Sequence, residues 1–107
     1  MHTLCYLYNM KIQYDFSSEK NQKLIQERGI SFEEVITAIA EGAVLDILLH
    51  PNQIKYPGQQ MYILNIRDYA YVVPFIQQDK NTVFLKTIFP NRKFTEQYLG
   101  DDNEKET

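Results

Sequence analysis

Four short runs rich in Val, Ile, Tyr and Phe decide the fold: VLDILL (44–49), MYILNI (61–66), YAYVVPFI (69–76) and TVFLKTIF (82–89). Turn-forming residues separate them, among them Pro57-Gly58, Arg67-Asp68 and Asp79-Lys80-Asn81. Short runs of β-branched and aromatic residues with short connectors predict an antiparallel meander. Pro74 has no N–H to give to a ladder, so we expect it at a bulge or on an edge strand.

A strand and a helix are predicted before the meander. Residues 10–16 alternate polar and apolar side chains, which is typical of a half-buried strand. Ser17-Ser18-Glu19 then provides the residue types that begin a helix, predicted over residues 18–28. Leu24 and Ile25 are its large apolar anchors, and Gly29 is a natural stop because it tolerates the left-handed conformation.

A second helix follows directly, in the sequence GISFEEVITAIAEG (29–42). Ser31 and Glu34 have the spacing of a capping box, and Ile30 precedes them at the position of a hydrophobic staple. Gly42 is expected to end the helix. The spacing places five apolar residues on one stripe: Phe32, Val35, Ile36, Ile39 and Ala40.

A short last helix is predicted over residues 92–99, with Phe94 and Tyr98 on one side. The order is therefore β-α-α-β-β-β-β-α, an α+β domain in which two adjacent helices pack on one face of a curled antiparallel sheet. We expect a single domain over residues 10–100. Residues 1–9 are an optional extension, since Met10 is a possible alternative start, and residues 101–107 are expected to be a disordered acidic tail.

The strands are apolar on both faces. We expect the strand over residues 44–49 to place Leu45, Ile47 and Leu49 on one face and Val44 and Leu48 on the other. We expect the strand over residues 69–76 to place Tyr71, Val73 and Phe75 on one face and Ala70, Val72 and Ile76 on the other. Either the C-terminal helix and the loop over residues 50–60 cover the second face, or that face binds a partner.

Composition narrows the possible functions. The chain has 107 residues, of which 44% are hydrophobic and 23% charged, and this composition fits a globular domain. Cys5 is the single cysteine, so an internal disulfide and a cysteine-based metal site are excluded. The chain has no apolar run of roughly 20 residues and its first residues carry no basic leader, so we expect a cytoplasmic protein without a membrane segment.

The charge is unevenly distributed. The net charge of −3 argues against a strongly basic nucleic-acid-binding protein. Residues 101–107 carry four acids and one lysine, so the rest of the chain is neutral. No acidic residue lies between Asp79 and Glu96, and this stretch contains four cations: Lys80, Lys86, Arg92 and Lys93.

Candidate catalytic residues lie mainly in and near this stretch. The sequence has no phosphate-binding glycine loop, HExxH or GxSxG motif, and His2 and His50 are far apart, so neither a metal nor a cofactor is expected. Metal-independent RNA cleavage needs cations at the phosphate and groups that transfer protons. The catalytic candidates are Arg92, Lys93, Lys86, His50 and Tyr98, and the RNA-binding candidates are Lys55, Lys80 and Lys86.

Two segments resemble the BrnT-type toxin family. Tyr14-Asp15-Phe16, Lys20-Asn21 and GISFEEV (29–35) are similar to the family's N-terminal half. KTIFPNRK (86–93), with Glu96 and Tyr98, is similar to its C-terminal ending, and the order and spacing match over about residues 10–100. In this ending Arg92 and Lys93 correspond to the family's basic pair, and Tyr98 to its late tyrosine.

The resemblance implies a ribonuclease toxin of a type II toxin–antitoxin pair, with a RelE-like fold. It also implies a cognate antitoxin, usually with a ribbon-helix-helix DNA-binding part, that holds the toxin in a hetero-oligomer and contacts operator DNA. The chain departs from the family at Arg28, where a histidine is usual, and at Gln59-Gln60-Met61, where both charges of an E-x-R motif are missing. A catalytically silent protein-binding module of the same fold is therefore the alternative.

Overall fold

A computed structural model describes residues 12–100. The predictions about the extension over residues 1–9, the Met10 start and the acidic tail over residues 101–107 lie outside this range. The elements, in chain order, are β1 (Gln13–Asp15), α1 (Ser18–Arg28), α2 (Phe32–Ala40), β2 (Val44–Leu49), β3 (Gln60–Ile66), β4 (Tyr69–Asp79), β5 (Thr82–Leu85), β6 (Phe89–Pro90) and α3 (Arg92–Thr95), which continues as a π-helical turn over Glu96–Gly100. We call α3 and this turn together the C-terminal helix.

The α+β class and the meander are confirmed. Strands β2, β3, β4 and β5 lie side by side and pair antiparallel with their neighbours in sequence. Arg67 and Asp68 form the two-residue turn between β3 and β4, with φ values of 57° and 63°. Positive φ at both positions is the geometry of a type I′ turn, whose twist matches that of the strands it joins.

The sheet is mixed, so the prediction of a purely antiparallel sheet is wrong. β1 pairs parallel with β5, with Tyr14 opposite Val83, and the strand order is β1-β5-β4-β3-β2. The connection between these two strands runs through both helices and most of the meander, which is long enough for a parallel crossover. Of the predicted strand over residues 10–16, the part that the structure describes forms β1 at Gln13–Asp15, and Ile12 and Phe16 lie outside the strand.

The fourth apolar run does not form one strand. β5 ends at Leu85, and the chain returns to the sheet as β6, which pairs with β4 at Val72 and Tyr71. On the side of β4 that faces β5 and β6, Pro74 lies in the gap between these two strands. Its carbonyl accepts a hydrogen bond from the Lys86 N–H. The prediction of an edge or bulge is therefore wrong. Pro74 lies in a central strand, at a break in the hydrogen-bond ladder where no backbone N–H is needed from it.

The N-terminal helices have the predicted limits but differ in two details. Gly29 is the left-handed C-cap of α1, with φ 68°. Of the two predicted apolar anchors of α1, Leu24 is buried in the core, whereas Ile25 is 42% exposed and does not anchor the helix. On α2 the buried alanine is Ala38, while Ala40 is exposed. Ala38 is three residues after the buried Val35 and so lies on the same face of the helix, whereas Ala40 is five residues after Val35 and lies on the other side.

The sheet carries a core on each face. The larger core lies between the sheet and the helices α1 and α2, and it includes Phe32, Leu64 and Leu85. The second lies under the C-terminal helix, where Phe94 and Tyr98 pack near Ile63, Ala70 and Val72. The alternation predicted for β4 is confirmed, since Tyr71, Val73 and Phe75 belong to the first core and Ala70 and Val72 to the second.

The face assignment predicted for β2 is wrong because of a bulge between Val44 and Asp46. The extra residue reverses the alternation, so Leu45 and Leu48 share the face of the second core while Val44 remains on the first. The C-terminal helix covers the second core. The loop over residues 50–59 does not complete the cover, because none of its residues is among the hydrophobic side chains packed against this core.

Candidate functional site

The C-terminal helix is fixed to the sheet at its first turn. Asn91 Oδ1 accepts a hydrogen bond from the Phe94 N–H at 2.8 Å and so caps the helix. The Asn91 N–H donates to the Ala70 carbonyl at 3.0 Å, and the Ala70 N–H donates to Thr95 Oγ1 at 2.9 Å. These bonds orient the helix so that Phe94 packs on the second core, and they leave Arg92 and Lys93 exposed.

The candidate cations of the C-terminal stretch are available to a ligand. The Arg92 side chain is 84% exposed, and its ion pair with Glu96 is long, at 3.8 Å. An exposed pair of this kind contributes less than about 0.5 kcal/mol, so it would yield readily to a phosphate. Lys86 is also exposed and follows β5 directly.

Tyr98 is committed to a structural hydrogen bond. Its hydroxyl donates to Asp46 Oδ2 at 2.7 Å and thereby ties the C-terminal helix to β2. This bond, with smaller contributions from desolvation and from the Asp46 charge, raises the pKa of Tyr98 above its ordinary value. The hydroxyl therefore keeps its proton at neutral pH, and it can serve as a proton donor only if the bond to Asp46 is exchanged.

His50 and Lys55 lie in the loop that joins β2 to β3. His50 Nδ1 accepts a hydrogen bond from the Asn52 N–H at 3.0 Å. The His50 ring lies 4.5 Å from that of Tyr56, and Lys55 Nζ lies 5.5 Å from the same Tyr56 ring. The side chain of Gln53 holds the loop closed through the carbonyls of His50 and Gln59 and the N–H of Gly58.

The structure places these two groups at opposite ends of β3. The His50 N–H donates to the carbonyl of Gln59, just before β3 begins, while Asn91 bonds to Ala70, which pairs with Asn65 near its end. Asn65 is six residues after Gln59, which corresponds to about 20 Å along the strand direction. The candidate Lys80 is exposed in the β4–β5 turn, also at the His50 end. Arg92, Lys93 and Tyr98 therefore form one group at the C-terminal helix, and His50 and Lys55 form another in the loop. Lys86 belongs to neither group, because its N–H bonds to Pro74, which pairs with Met61 near the start of β3.

Three polar contacts that the sequence analysis missed connect distant elements. Asn21 is buried; its Oδ1 accepts from the Phe32 N–H at 2.7 Å and its Nδ2 donates to Glu33 at 2.9 Å. Arg28 donates to the Ile88 carbonyl at 2.5 Å and so joins α1 to the segment between β5 and β6. The resemblance had marked Asn21 and Arg28, but nothing in the local pattern marked these contacts.

The third contact involves Arg67. Its guanidinium pairs with Glu34 at 2.5 Å and also reaches the Gly29 carbonyl at 3.4 Å. Glu34 therefore bonds the β3–β4 turn and does not close the predicted capping box, of which only the Ser31 half forms. Beside this pair lies an open depression of about 380 Å³, whose lining includes three acids, Glu33, Glu34 and Glu41, together with Arg67 and Asn65.

Within residues 12–100, no group of three or more His, Cys, Asp or Glu side chains is placed to hold a metal ion. No helix in the same range is long and apolar enough to cross a membrane. Comparisons with models of protein families, with curated proteins and with solved structures found no match to this chain.

Proposed function

We propose that the chain is the toxin of a type II toxin–antitoxin pair, with a RelE-like fold, and that it cleaves RNA without a metal in the cytoplasm. The observation that carries the proposal is the acid-free stretch between Asp79 and Glu96, whose cations Lys86, Arg92 and Lys93 are all exposed, the last two at the start of the C-terminal helix. The resemblance of the two chain segments to the BrnT-type family supports the same function.

The proposed roles follow from the chemistry of the side chains. Arg92 grips two phosphate oxygens, and Lys93 and Lys86 stabilise the charge that develops when the 2′-hydroxyl attacks. Tyr98 is the nearest candidate for proton transfer along the chain, because it lies on the same helix. The separation of about 20 Å along β3 argues against His50 and Lys55 sharing one phosphate with Arg92; they would instead contact RNA further along.

A cognate antitoxin completes the proposal. It would hold the toxin in a hetero-oligomer, and its ribbon-helix-helix part would provide the contact with operator DNA. The near-neutral charge of residues 1–100 supports this division of labour, because a chain without a large basic surface is a poor DNA-binding protein by itself.

One observation favours the alternative, a catalytically silent module that only binds a partner. The Tyr98 hydroxyl is bonded to Asp46, and the other proton-transfer candidate, His50, lies in a different part of the molecule. The two charges of the family's E-x-R motif are also missing at Gln59-Gln60-Met61. A protein that only binds a partner needs none of these catalytic groups, so this arrangement suits it without any rearrangement.

Induction of the chain alone in a bacterial host tests both functions. The parent protein, the double variant Arg92→Ala/Lys93→Ala and the control Lys23→Ala, which changes an exposed lysine of α1, are compared for growth and for the integrity of total RNA. Growth arrest with RNA decay in the parent and the control, but not in the double variant, supports the toxin. Normal growth with intact RNA at good expression overturns the toxin and favours the binding module.

A further inference from the structure

The outer edge of β2 is an open sheet edge with apolar side chains. β2 is the last strand in the sheet order, and no other strand within residues 12–100 pairs with its outer side. Ile47 is 47% exposed and Leu49 63% exposed. An edge of this kind offers backbone hydrogen-bonding groups and apolar contact area to an added strand.

The backbone groups of Ile47 and Leu49 point away from the sheet. The His50 N–H donates to the Gln59 carbonyl on β3, so His50 faces inward. Backbone groups alternate between the two sides of a strand, so those of Leu48 face β3 and those of Ile47 and Leu49 face outward. The Ile47 N–H bonds locally to Asp46 Oδ1 at 2.8 Å; the Leu49 N–H and the two carbonyls are directed at the open edge.

We propose that two copies of the chain pair antiparallel along β2, with the two-fold axis at Leu48. In this register Ile47 of each copy lies opposite Leu49 of the other copy. The outward-facing N–H and carbonyl groups of these two residues therefore face each other across the seam. The same two side chains share the face of the first core, since Ile47 lies opposite Tyr62 and Leu49 opposite Gln60 within the sheet. Pairing therefore buries the exposed apolar side chains of β2 against each other.

Charge favours the same arrangement. Asp46 is the only acid between Val44 and Gln59, and it precedes the centre of the strand, while His50 follows it. The antiparallel register brings Asp46 opposite His50 of the second copy. His50 Nδ1 accepts a hydrogen bond from Asn52, so the neutral ring carries its proton on Nε2 and can donate it to a carboxylate.

The neighbouring registers are worse. A two-fold axis at Leu49 would put Ile47 opposite Pro51, which has no N–H to donate. An axis at Ile47 would put Leu49 opposite Leu45, which lies in the bulge, and would leave Asp46 beside Leu48. One added strand buries less surface than a standard interface, so we expect a dissociation constant in the micromolar range. This pairing does not depend on the proposed function.

Sedimentation velocity of the full chain at increasing concentration tests the pairing. The parent should form a concentration-dependent dimer. Leu49→Lys should weaken association about tenfold or more, because it places two charges in the seam. Ile25→Lys on α1 changes a similarly exposed apolar residue and should associate like the parent. A parent that stays monomeric at every concentration overturns the proposal. A Leu49→Lys variant that dimerises like the parent also overturns it. If the chain stays monomeric alone and pairs along β2 only with a different protein, the edge is a binding site for that partner and the proposal is wrong.

A cross-linking experiment tests the register. In a Cys5→Ser background, Leu48→Cys would bring two thiols together at the axis, where Cα atoms of a non-hydrogen-bonded pair lie about 4.5 Å apart, within the span of a disulfide. Its disulfide dimer should form faster than that of Ile54→Cys, although Ile54 is far more exposed. Equal or slower cross-linking of a folded Leu48→Cys variant overturns this register. If that variant does not fold, the Leu49→Lys comparison still decides whether β2 pairs.

Discussion

The hydroxyl of Tyr98 donates a hydrogen bond to the carboxylate of Asp46 across 52 positions of sequence, at 2.7 Å. This contact joins the C-terminal helix, which carries Arg92 and Lys93, to the edge strand β2. It exists because the bulge in β2 turns Asp46 onto the face of the second core. One hydrogen bond therefore couples the candidate RNA-contacting helix to the edge that we propose as a dimer interface.

Removing this bond should loosen the C-terminal helix. We expect Tyr98→Phe to lower the free energy of unfolding by about 1 kcal/mol, measured by urea denaturation at neutral pH. Because the folded-state pKa of Tyr98 is raised, the bond's contribution is complete below the ordinary pKa of 10.0 and is lost as pH rises through the folded value. The difference between parent and Tyr98→Phe should thus shrink in strong alkali. Tyr69→Phe, on the opposite face, is the control and should change stability less at neutral pH.

Asn21 should be the most sensitive polar residue of α1. Asn21→Ala leaves the Phe32 N–H without its partner in a fully buried position, and we expect a loss of about 2 kcal/mol in the free energy of unfolding. Gln22→Ala changes the exposed neighbour on the same helix and should be close to neutral. Equal effects of the two substitutions in urea denaturation would contradict the role assigned to Asn21.

Glu33 should contribute to stability on the acid side. The hydrogen bond from Asn21 holds the pKa of Glu33 below its ordinary value of 4.5. A lowered folded-state pKa gives a stabilisation that is present above the ordinary value and is lost as pH falls through the folded value. Between neutral pH and strong acid, Glu33→Gln should therefore lose less stability than the parent. A Glu33→Gln curve that runs parallel to the parent's would argue against this contribution.

The β3–β4 turn offers a stabilising substitution. Asp68 adopts a left-handed conformation that glycine adopts without steric cost, so Asp68→Gly should raise the free energy of unfolding by about 0.5 kcal/mol. Arg67→Gly relieves the same strain but loses the contacts with Glu34 and Gly29, so its net effect should be less favourable. Thermal unfolding of the two variants checks this order, and a more stable Arg67→Gly variant would contradict it.

The two groups of candidate residues should separate in a cleavage assay. With purified protein and an RNA transcript in buffer containing EDTA, we expect Lys93→Ala and Arg92→Ala to reduce cleavage, while His50→Ala retains most of it, since His50 lies at the end of β3 away from the C-terminal helix. Arg92→Ala should change stability by less than about 0.5 kcal/mol because the side chain is exposed, so lost activity would not reflect unfolding. Loss of cleavage in His50→Ala alone would reverse the assignment.

Local signals predicted the helices well. Ser17 and Ser31 cap α1 and α2 as expected, and Gly29 ends α1, since capping and termination depend on residues within one turn of each other. The alternation of β4 was equally readable, because a strand without a bulge in that region keeps a period of two. The bulge in β2 lacks such a signal: no glycine or proline marks it, and it reversed the faces of Ile47 and Leu48.

For the candidate site, the sequence identified the cations but not their spacing. Arg92 and Lys93 are exposed at the start of α3 as their helix position implies. The distance between them and His50 depends on how β2, β3 and β4 align, which no local pattern records. The contact of Arg67 with Glu34 has no local signal, because the two residues are 33 positions apart and the position of Glu34 also fits a capping box.

The sequence by itself determined where α1 and α2 begin and that β2 to β5 form an antiparallel meander, because caps, periodicity and tight turns are interactions between near neighbours. Only the tertiary structure decided that β1 pairs parallel with β5, that Asp46 meets Tyr98, and that no strand of residues 12–100 pairs with the outer side of β2. These depend on strand order and register, which are set by the packing of the whole sheet against two cores, and that packing is a property of residues far apart in the chain.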